Sequence, residues 1–468
     1  MVVRVICHIN LIKGEEKMLK KLLFFALILL VVAGCSSQDS GTENDDSSKK
    51  VKLEIMMFEG GFGSDWVEKS ADKYMKDHSN VEIELIASPD ISKQLQPRVV
   101  AGDSPDIINP GPKFDIKALM NNGGLLDLSD YLDTPAYDSD EKWGDTFKPG
   151  QLVLQKDASH YGIPILFSTG YLWWYDQKLF NDNNWDVPET WDDLYVLNEK
   201  AKAEGISTFA LPGQGPAYSL YGLYLPLVQR MGGFEAIESG FNLEKGAWKS
   251  EPFLNAAKEI AKMREEEGMF LEGSMALSHI EAQTQFFQRN ALFAMAGTWL
   301  EGEMQDVIPE DFELTALNQA PWSDGPAEQQ KAAPVSSGWG GGWYVSKDSD
   351  HADEAIDFLK FLSSQGEMSE MVSSRGLPST IKGTDEAIQS DTLKTALNVI
   401  DEAEGLTYIP TAINDSYPEF TINITNQIQA LLLGEVSPEE FIDYAEKQAE
   451  TLRNDDSIEK VEYKFGEK

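Results

Sequence analysis

The sequence predicts an α/β fold with more than one domain, and three features of the chain support this class. Residues 51–57 and 81–85 alternate apolar and polar side chains, which is typical of strands. Val67, Ala71 and Tyr74 lie between them at spacings of four and three, which predicts a helix. A strand, helix and strand in this order predict a right-handed parallel crossover. The 468 residues, 42% of them hydrophobic, exceed one typical domain and suffice for packed cores.

Further elements are marked by capping residues and by apolar periodicity. Thr190 is predicted to cap a helix over residues 191–205. Residues 437–440, Ser-Pro-Glu-Glu, form a capping box with proline at the first helical position, which predicts a last helix. The apolar run at 291–296 predicts a buried strand, and an apolar stripe in 355–362 predicts another helix.

The composition excludes several classes of function. Asp and Glu total 78 against 39 Lys and Arg, so the net charge is −39, and binding to nucleic acid or adsorption on anionic lipid by charge is not expected. Two cysteines, Cys7 and Cys35, are too few for a disulfide scaffold or a cysteine-built zinc site. The five histidines include no HxxxH or HxH pair. The sequence therefore predicts no metal and no cofactor.

Residues 20–34 have the parts of an export signal. Two lysines precede an apolar run at 22–32, which is shorter than the about 20 residues that a membrane-spanning helix needs. Small residues follow and lead directly to Cys35. The string at 32–35, Val-Ala-Gly-Cys, resembles a bacterial lipobox, in which the cysteine is lipidated and becomes the mature N-terminus. The alternative is an ordinary signal peptide with an incidental cysteine.

This signal divides the N-terminal region into three parts. Residues 1–17 fit no part of a signal peptide, which predicts Met18 as the true start and 18–34 as the lipoprotein signal peptide. Residues 35–50 are predicted to be the lipidated cysteine and a flexible tether, because 36–50 contain no aliphatic or aromatic residue. The protein is therefore expected at the extracytoplasmic face of the cell membrane, held by its lipid anchor.

The chain lacks the short motifs of several enzyme classes. It contains no GxSxG, HExxH, phosphate-loop or GxGxxG sequence. Acidic residues are so frequent that sequence alone cannot single out a glycosidase pair. Residues 138–145 carry several carboxylates without the glycine or the spacing of a calcium loop, so a solvated acidic loop is predicted. The sequence thus predicts a protein that is not an enzyme.

Residues 336–344, Ser-Ser-Gly-Trp-Gly-Gly-Gly-Trp-Tyr, combine glycines with two of the 11 tryptophans. The glycines forfeit side-chain packing, which indicates close approach of another group to the backbone. Indoles offer flat apolar faces with one donor each, and this suits the apolar C–H patches and hydroxyl rims of sugars. Trp339 and Trp343 are therefore candidate ligand contacts. For Trp343 the alternative is a strand in which the indole packs inward.

Two further segments place aromatic residues where ligands bind in α/β proteins. Trp299 stands shortly after the predicted strand 291–296, and open α/β sheets bind ligands beyond the carboxyl ends of their strands. The alternative is that Trp299 caps the core. Ser168 and Tyr171 belong to a Ser-Thr-Gly-Tyr segment after the apolar stretch 163–167, which predicts either a hinge or a hydroxyl-binding turn.

Several segments resemble the family 1 extracellular solute-binding proteins of ABC transporters. The matches are short, and they follow one another in order over nearly the whole mature chain. They are Ala-Gly-Asp-Ser-Pro-Asp-Ile at 101–107, Tyr-Gly-Ile-Pro at 161–164, Trp-Tyr-Asp at 174–176, Val-Pro-Glu-Thr-Trp at 187–191, the stretch 293–299, and the helix 355–362 with Leu-Pro at 377–378.

The resemblance implies a two-lobed, periplasmic-binding-protein-like fold of type II, with parallel-sheet lobes joined by a multi-strand hinge. Lobe one is expected at 51–165 plus 318–377, and lobe two at 166–317 plus 378–468. The implied partners are a carbohydrate ligand, the permease subunits of an ABC transporter and, through the lipid anchor, the membrane. The protein is expected to be a monomer.

Within that family, the loop at 60–63, Gly-Gly-Phe-Gly, is similar to binders of N-acetylglucosamine and chito-oligosaccharides. The resemblance implies ligand contacts in this loop, the Pro-Asp segment, the crossover, the strand exit, the glycine-rich return and a late loop at 410–417. The residues so implied are Glu59, Phe62, Asp106, Ser168, Tyr171, Trp299, Trp339, Gly340 and Asn414. For Asp106 the alternative is a carboxylate that caps only the local turn.

The function predicted from these observations is that of a non-catalytic, lipid-anchored receptor that closes on a mono- or oligosaccharide. One alternative is a surface glycoside hydrolase that uses two of the many carboxylates. A second is a binding protein for a polyamine, a peptide or a phosphate ester. A third is an adhesion or scaffold lipoprotein whose cleft binds no small molecule.

Overall fold

The computed structural model describes residues 50–111, 114–148, 151–152, 159–335, 342–458 and 460–465. The predicted signal peptide, Cys35 and the tether up to residue 49 lie outside these residues, and so do Trp339 and Gly340.

The strands form three sheets. The five-stranded sheet has the order β2-β1-β3-β10-β4, the four-stranded sheet β6-β7-β5-β8, and β11 pairs with β9. Their bounds are β1 (Val51–Phe58), β2 (Val81–Ser88), β3 (Ile107–Asn109), β4 (Gly162–Pro164), β5 (Leu172–Asp176), β6 (Ser207–Phe209), β7 (Ala291–Ala296), β8 (Leu314–Leu317), β9 (Ala333–Pro334), β10 (Gly342–Val345) and β11 (Thr407–Tyr408).

Helices cover both large sheets. Their bounds are α1 (Asp65–Asp77), α2 (Ile91–Ala101), α3 (Ile116–Asn121), α4 (Ser129–Leu132), α5 (Gln177–Asn183), α6 (Trp191–Ala203), α7 (Ala217–Ser219), α8 (Leu225–Phe241), α9 (Glu251–Glu265), α10 (His279–Phe287), α11 (Leu300–Met304), α12 (Ala352–Leu362), α13 (Gln365–Arg375), α14 (Asp391–Glu402), α15 (Ala412–Ser416), α16 (Pro418–Leu433) and α17 (Pro438–Arg453). Within the described ranges, none of them combines the length and the apolar character of a membrane-spanning helix.

Lobe one is built around the five-stranded sheet. Strand β1 alternates as predicted: Leu53, Ile55 and Met57 pack on the face that α1, α12 and α13 cover, whereas Met56 packs on the opposite face. Because successive side chains of a strand point to opposite faces, apolar residues on both sides give this sheet a core on each face. The predicted strand-helix-strand unit is confirmed, since β1 pairs with β2 in parallel.

The lobes contain mixed sheets, whereas parallel sheets were predicted. Strand β10 returns from the other lobe, inserts between β3 and β4 and runs antiparallel to both. In the four-stranded sheet, β6 and β7 are parallel, but β5 is antiparallel to β7 and β8. Antiparallel neighbours need no crossover helix between them, so strands that border an inter-lobe connection can join a sheet in this way.

Lobe two packs cores on both faces of the four-stranded sheet. Trp173 and Trp174, neighbours on β5, enter opposite cores and are both fully buried. The strand predicted at 291–296 is confirmed as β7, every residue of which is buried. Both predicted helix caps are also confirmed: Thr190 and Ser437 each form a capping box, with Asp193 and Glu440 respectively. Such caps typically contribute about 1 kcal/mol each.

The connections between the lobes are hydrogen-bonded to one another. The N–H of Phe167 donates to the carbonyl of Pro378 (2.9 Å), and Leu166 bridges Ser379. On its other side the first connection meets the second, because the N–H of Gly170 donates to the carbonyl of Pro334 (3.0 Å). The described parts of the three connections therefore form one small ladder, as a multi-strand hinge requires.

Arg230 on α8 ties the chain after β8 to lobe two. The guanidinium is fully buried and donates to the carbonyls of Gln319 (2.9 Å) and Ala332 (3.1 Å). Burial lowers the pKa of Arg230 to about 10. These contacts place residues 319–332 on lobe two, whereas the predicted boundary at 317/318 places them in lobe one. The difference depends on tertiary contacts that no local pattern reveals.

Candidate functional site

The lobes meet where β1 and β7 end. The loop after β1 carries Glu59 and Phe62, and Trp299 follows β7. The rings of Phe62 and Trp299 meet edge to face, with centroids 6.5 Å apart. A Cβ on Gly61 would lie 3.0 Å from the Trp299 side chain, so glycine permits this close approach of the two lobes.

Trp299 is the centre of an aromatic cluster, which consists of Phe62, Tyr171, Tyr218, Tyr221 and Trp299. The Trp299 ring lies 5.7 Å from that of Tyr171, and its indole lies beside the Tyr218 hydroxyl. Tyr171 in turn contacts Tyr218 (5.2 Å) and stacks on Tyr221 (5.7 Å). Tyr221 belongs to a single π-helical turn (Leu220–Tyr224), a feature that often marks functional sites.

The turn after β7 fixes the position of the indole. A Cβ on Gly297 would lie 2.1 Å from the Trp299 ring, so a larger residue there would displace the ring. Trp299 is only partly buried and contacts the described cores of both lobes. Trp299 therefore caps core residues and also leaves part of its indole exposed at the lobe junction. Its position is compatible with both roles considered from the sequence, a cap over the core and a ligand contact.

Polar groups border the aromatic cluster. Burial raises the pKa of the Tyr171 and Tyr218 hydroxyls, so both stay neutral and can donate as well as accept hydrogen bonds. His279 stacks on Tyr218 with ring centroids 6.1 Å apart, and its Nε2 lies 3.4 Å from Glu303 Oε1. Glu59 Oε1 accepts a hydrogen bond from the Ser64 hydroxyl (3.0 Å), which holds this carboxylate beside the start of α1.

Four of the predicted site residues thus lie in the loop after β1 or in the aromatic cluster, namely Glu59, Phe62, Tyr171 and Trp299. Tyr218, Tyr221, His279 and Glu303 were missed. A signal for Tyr218 was present, because it stands directly after the Gly- and Pro-rich segment 212–217 that follows β6, as Trp299 follows β7. His279 and Glu303 had no such signal, since only the packing of α10 on α11 brings them together.

Other predicted site residues have different surroundings. Trp343 on β10 is 1% exposed and packs edge to face on Trp66 with centroids 6.1 Å apart, so the strand interpretation describes it. The buried Ser168 hydroxyl donates to the carbonyl of Thr169 (2.8 Å) within the hinge ladder. Asn414 lies in the short helix α15, whose other residues include members of the lobe-two core.

Asp106, another predicted site residue, accepts hydrogen bonds within lobe one. Its Oδ2 accepts from the N–H of Glu54 (2.8 Å), and its Oδ1 accepts from the Ser349 hydroxyl (2.6 Å). It lies beside Glu54, five residues before Glu59 on β1, and five residues of strand span about 16 Å. These partners are 52 and 243 residues away in sequence, so Asp106 links separate segments of lobe one and does not cap a local turn.

Replacing Asp106 by alanine is expected to lower the free energy of unfolding by about 2 kcal/mol, because two hydrogen-bond donors lose their acceptor. Ligand affinity should not change. Urea denaturation and calorimetric titration measure the two quantities. Asp103→Ala is the matched control, since Asp103 is mostly exposed and pairs only at the surface with Arg98. A variant that is stable but binds poorly would return Asp106 to the site.

No group of three or more His, Cys, Asp or Glu side chains that could hold a metal ion is found among the described residues. The site therefore consists of aromatic faces, hydroxyls and a few carboxylates. Such a set can bury an apolar ring face and hydrogen-bond a polar rim.

Two α/β lobes, a ladder of connections and an aromatic cluster at the lobe junction define the class of two-lobed ligand-binding proteins. The chain belongs to the bacterial extracellular solute-binding protein family, whose sequence profile matches residues 63–369. The resemblance noted in the sequence is thereby confirmed. The prediction of a binding protein rather than an enzyme is confirmed as well, because the family and the relatives below are binding proteins.

The curated relatives of this chain are named as sugar-binding proteins. The chain is 26% identical over 412 residues to the diacetylchitobiose binding protein NgcE of Streptomyces coelicolor, covering 87% of this chain and 86% of that protein. It is 23% identical over 346 residues to the multiple sugar-binding protein of Streptococcus mutans, covering 72% and 78%. The solved structure of a chitin oligosaccharide binding protein shares the fold with a TM-score of 0.72 at 19% identity, covering 86% of this chain and 99% of that one.

Proposed function

We propose that this protein is the sugar-binding receptor of an ABC importer and that it binds an N-acetylglucosamine or chitobiose-like sugar between its lobes. The aromatic cluster around Trp299 carries the proposal, because it joins residues of both lobes in one junction. The similarity to a diacetylchitobiose binding protein over 87% of the chain supports the choice of sugar.

The chemistry of the cluster suits a sugar. A pyranose ring has an apolar C–H face, which a half-buried indole such as that of Trp299 can cover. Its hydroxyls lie at the rim, where the neutral Tyr171 and Tyr218 hydroxyls and the carboxylates of Glu59 and Glu303 offer both donors and acceptors. The sugar would thus find burial and hydrogen bonds in one place.

The contact between Phe62 and Trp299 determines how a ligand enters. The two rings touch directly, so the lobes must separate before a sugar can reach the indole face between them. A ligand then shifts the lobes toward closure only to the extent that it binds the closed form better than the open form. The closed form would be the one that the permease subunits recognise.

We also propose that the receptor is a monomer held at the extracytoplasmic face of the membrane by lipid on Cys35, after removal of the signal peptide 18–34. The lipobox-like string at 32–35 supports this, and so does the polar segment 36–50, which would serve as the tether. Intact mass of membrane-extracted protein tests it: a mass beginning at Cys35 with acyl chains supports anchoring, and an unmodified chain contradicts it.

Intrinsic tryptophan fluorescence of residues 36–468 tests the proposed ligand. The panel contains N-acetylglucosamine, diacetylchitobiose, maltose, xylobiose and cellobiose, with spermidine as the charged comparison. A saturable change at micromolar N-acetylated sugar, without release of reducing ends on overnight incubation, supports the proposal. Saturation by spermidine alone would identify a cation receptor instead, and new reducing ends would identify a hydrolase.

A further inference from the structure

Buried polar atoms without a hydrogen-bond partner occur on the elements that pack around Trp299. Within the described residues, neither amide atom of Gln283 has a partner, and the same holds for Thr298 Oγ1 and Glu303 Oε2. Gln283 and Thr298 are only 3% and 2% exposed. Leaving a buried polar atom without a partner is costly, so several of them on neighbouring elements call for an explanation. These three residues are called the inner polar cluster below.

The inner polar cluster is distributed over three elements that pack on one another, namely α10, α11 and the turn after β7. Thr298 directly precedes Trp299, and Glu303 follows it by one turn of α11, where its N–H donates to the Trp299 carbonyl (2.9 Å). The other oxygen of Glu303 lies 3.4 Å from His279. Gln283 stands four residues after His279 and therefore on the same face of α10, which packs on α11 and β7.

The atoms of the inner polar cluster match the two ends of an acetamido group. Such a group presents an N–H donor and a carbonyl acceptor in opposite directions. Glu303 Oε2 is a free acceptor for the N–H, whereas Gln283 Nε2 and the Thr298 hydroxyl are free donors for the carbonyl. A simple 2-hydroxyl group in the same place is too short to satisfy both ends.

We propose that the inner polar cluster recognises the acetamido group of the bound sugar and that Gln283 sets the preference for acetamido sugars over 2-hydroxy sugars. The inference rests on the proposed sugar-binding function and names the residues that would determine its specificity. Separation of the lobes moves Phe62 away from Trp299 and so exposes the indole edge beside which Thr298 and Glu303 lie. The acetamido group enters at this edge while the sugar ring covers the indole.

The test is Gln283→Leu, which keeps the size of the side chain and removes both polar atoms. Calorimetric titration compares diacetylchitobiose, its deacetylated dimer and cellobiose. We expect the affinity for diacetylchitobiose to fall about tenfold, as loss of one buried hydrogen-bonding group predicts, and the affinities for the other two to change less than about twofold. The matched control is Gln285→Leu on the same helix, which is less buried and lies off this face.

A different result is expected if Gln283 has only a structural role. Because leucine leaves no polar atom without a partner, the variant would then be at least as stable as the wild type and would bind every sugar with unchanged affinity, which overturns the inference. An equal loss for all sugars overturns it too. If Gln283→Leu does not fold, Thr298→Val replaces it, because valine keeps the shape of threonine and removes the hydroxyl donor, and the same selective loss is expected. Failure of the wild type to bind any sugar refutes the proposed function itself and is seen before any variant is made.

Discussion

Replacing Trp299 by alanine is expected to weaken sugar binding more than tenfold while the protein stays folded. The indole touches Phe62, Tyr171 and Tyr218, so its loss removes the surface that joins the two lobes. Aromatic residues at the centre of a binding site commonly contribute about 2 kcal/mol or more, which corresponds to a factor of about 30 in affinity. Titration calorimetry with the sugar found in the fluorescence panel measures the effect.

The matched control is Trp185→Ala, because Trp185 is also partly buried but packs on Phe180, outside the aromatic cluster around Trp299. That variant should lose stability without losing affinity. Circular dichroism melting separates the two effects. A folded Trp299→Ala protein with unchanged affinity would remove Trp299 from the site and with it the observation on which the proposed function depends.

The largest effect on stability is expected for Arg230→Met. The buried guanidinium supplies hydrogen bonds to the carbonyls of Gln319 and Ala332 and a longer one to that of Gln329 (3.4 Å). Methionine is shorter and removes all three bonds. The Gln319 carbonyl then loses its donor, whereas the carbonyls of Ala332 and Gln329 keep the side-chain amides of Asn318 and Gln229 as donors. Recovery of the desolvation cost of the charge offsets part of this loss, and a net destabilisation of about 3 kcal/mol is expected.

Urea denaturation followed by fluorescence measures this change, since Trp322 packs on Trp191 in the segment that Arg230 holds. Arg264→Met is the comparison, because Arg264 is partly exposed and makes one carbonyl bond, to Leu431 (3.0 Å). It should cost less than about 1 kcal/mol. A midpoint for Arg230→Met equal to that of the wild type would show that the segment 319–332 is held by other contacts.

Local patterns in the sequence predicted local structure well. The alternation in β1, the apolar run of β7 and the capping boxes at Thr190 and Ser437 each depend on residues within one element, and all of them are present. The family resemblance supplied the two-lobed fold. The antiparallel insertion of β10 between β3 and β4 was missed, because strand direction within a sheet depends on the path of the chain between the lobes.

The site was predictable only where its residues follow strands. Trp299 and Phe62 stand just beyond β7 and β1. The rule that ligands bind beyond strand ends pointed to Trp299, and the position of Phe62 agrees with it. The structural role of Asp106 was missed because its partner Ser349 is 243 residues away in sequence. His279, Gln283 and Glu303 were invisible for the same reason, since a polar side chain in a helix gives no sign that its neighbours leave it unpaired.

The hydrogen-bonded ladder of inter-lobe connections has a kinetic consequence. Independent connections could let the lobes slide, twist and bend separately. The hydrogen bonds from Phe167 to Pro378 and from Gly170 to Pro334 instead constrain the lobes to rotate about a common hinge axis. The solute then leaves the cleft on the side opposite the hinge axis. The angle between the lobes is the one coordinate that governs its dissociation. The dissociation rate would therefore measure the rotation of one lobe relative to the other. A crosslink between the lobes across the open side of the cleft would keep a bound solute in place.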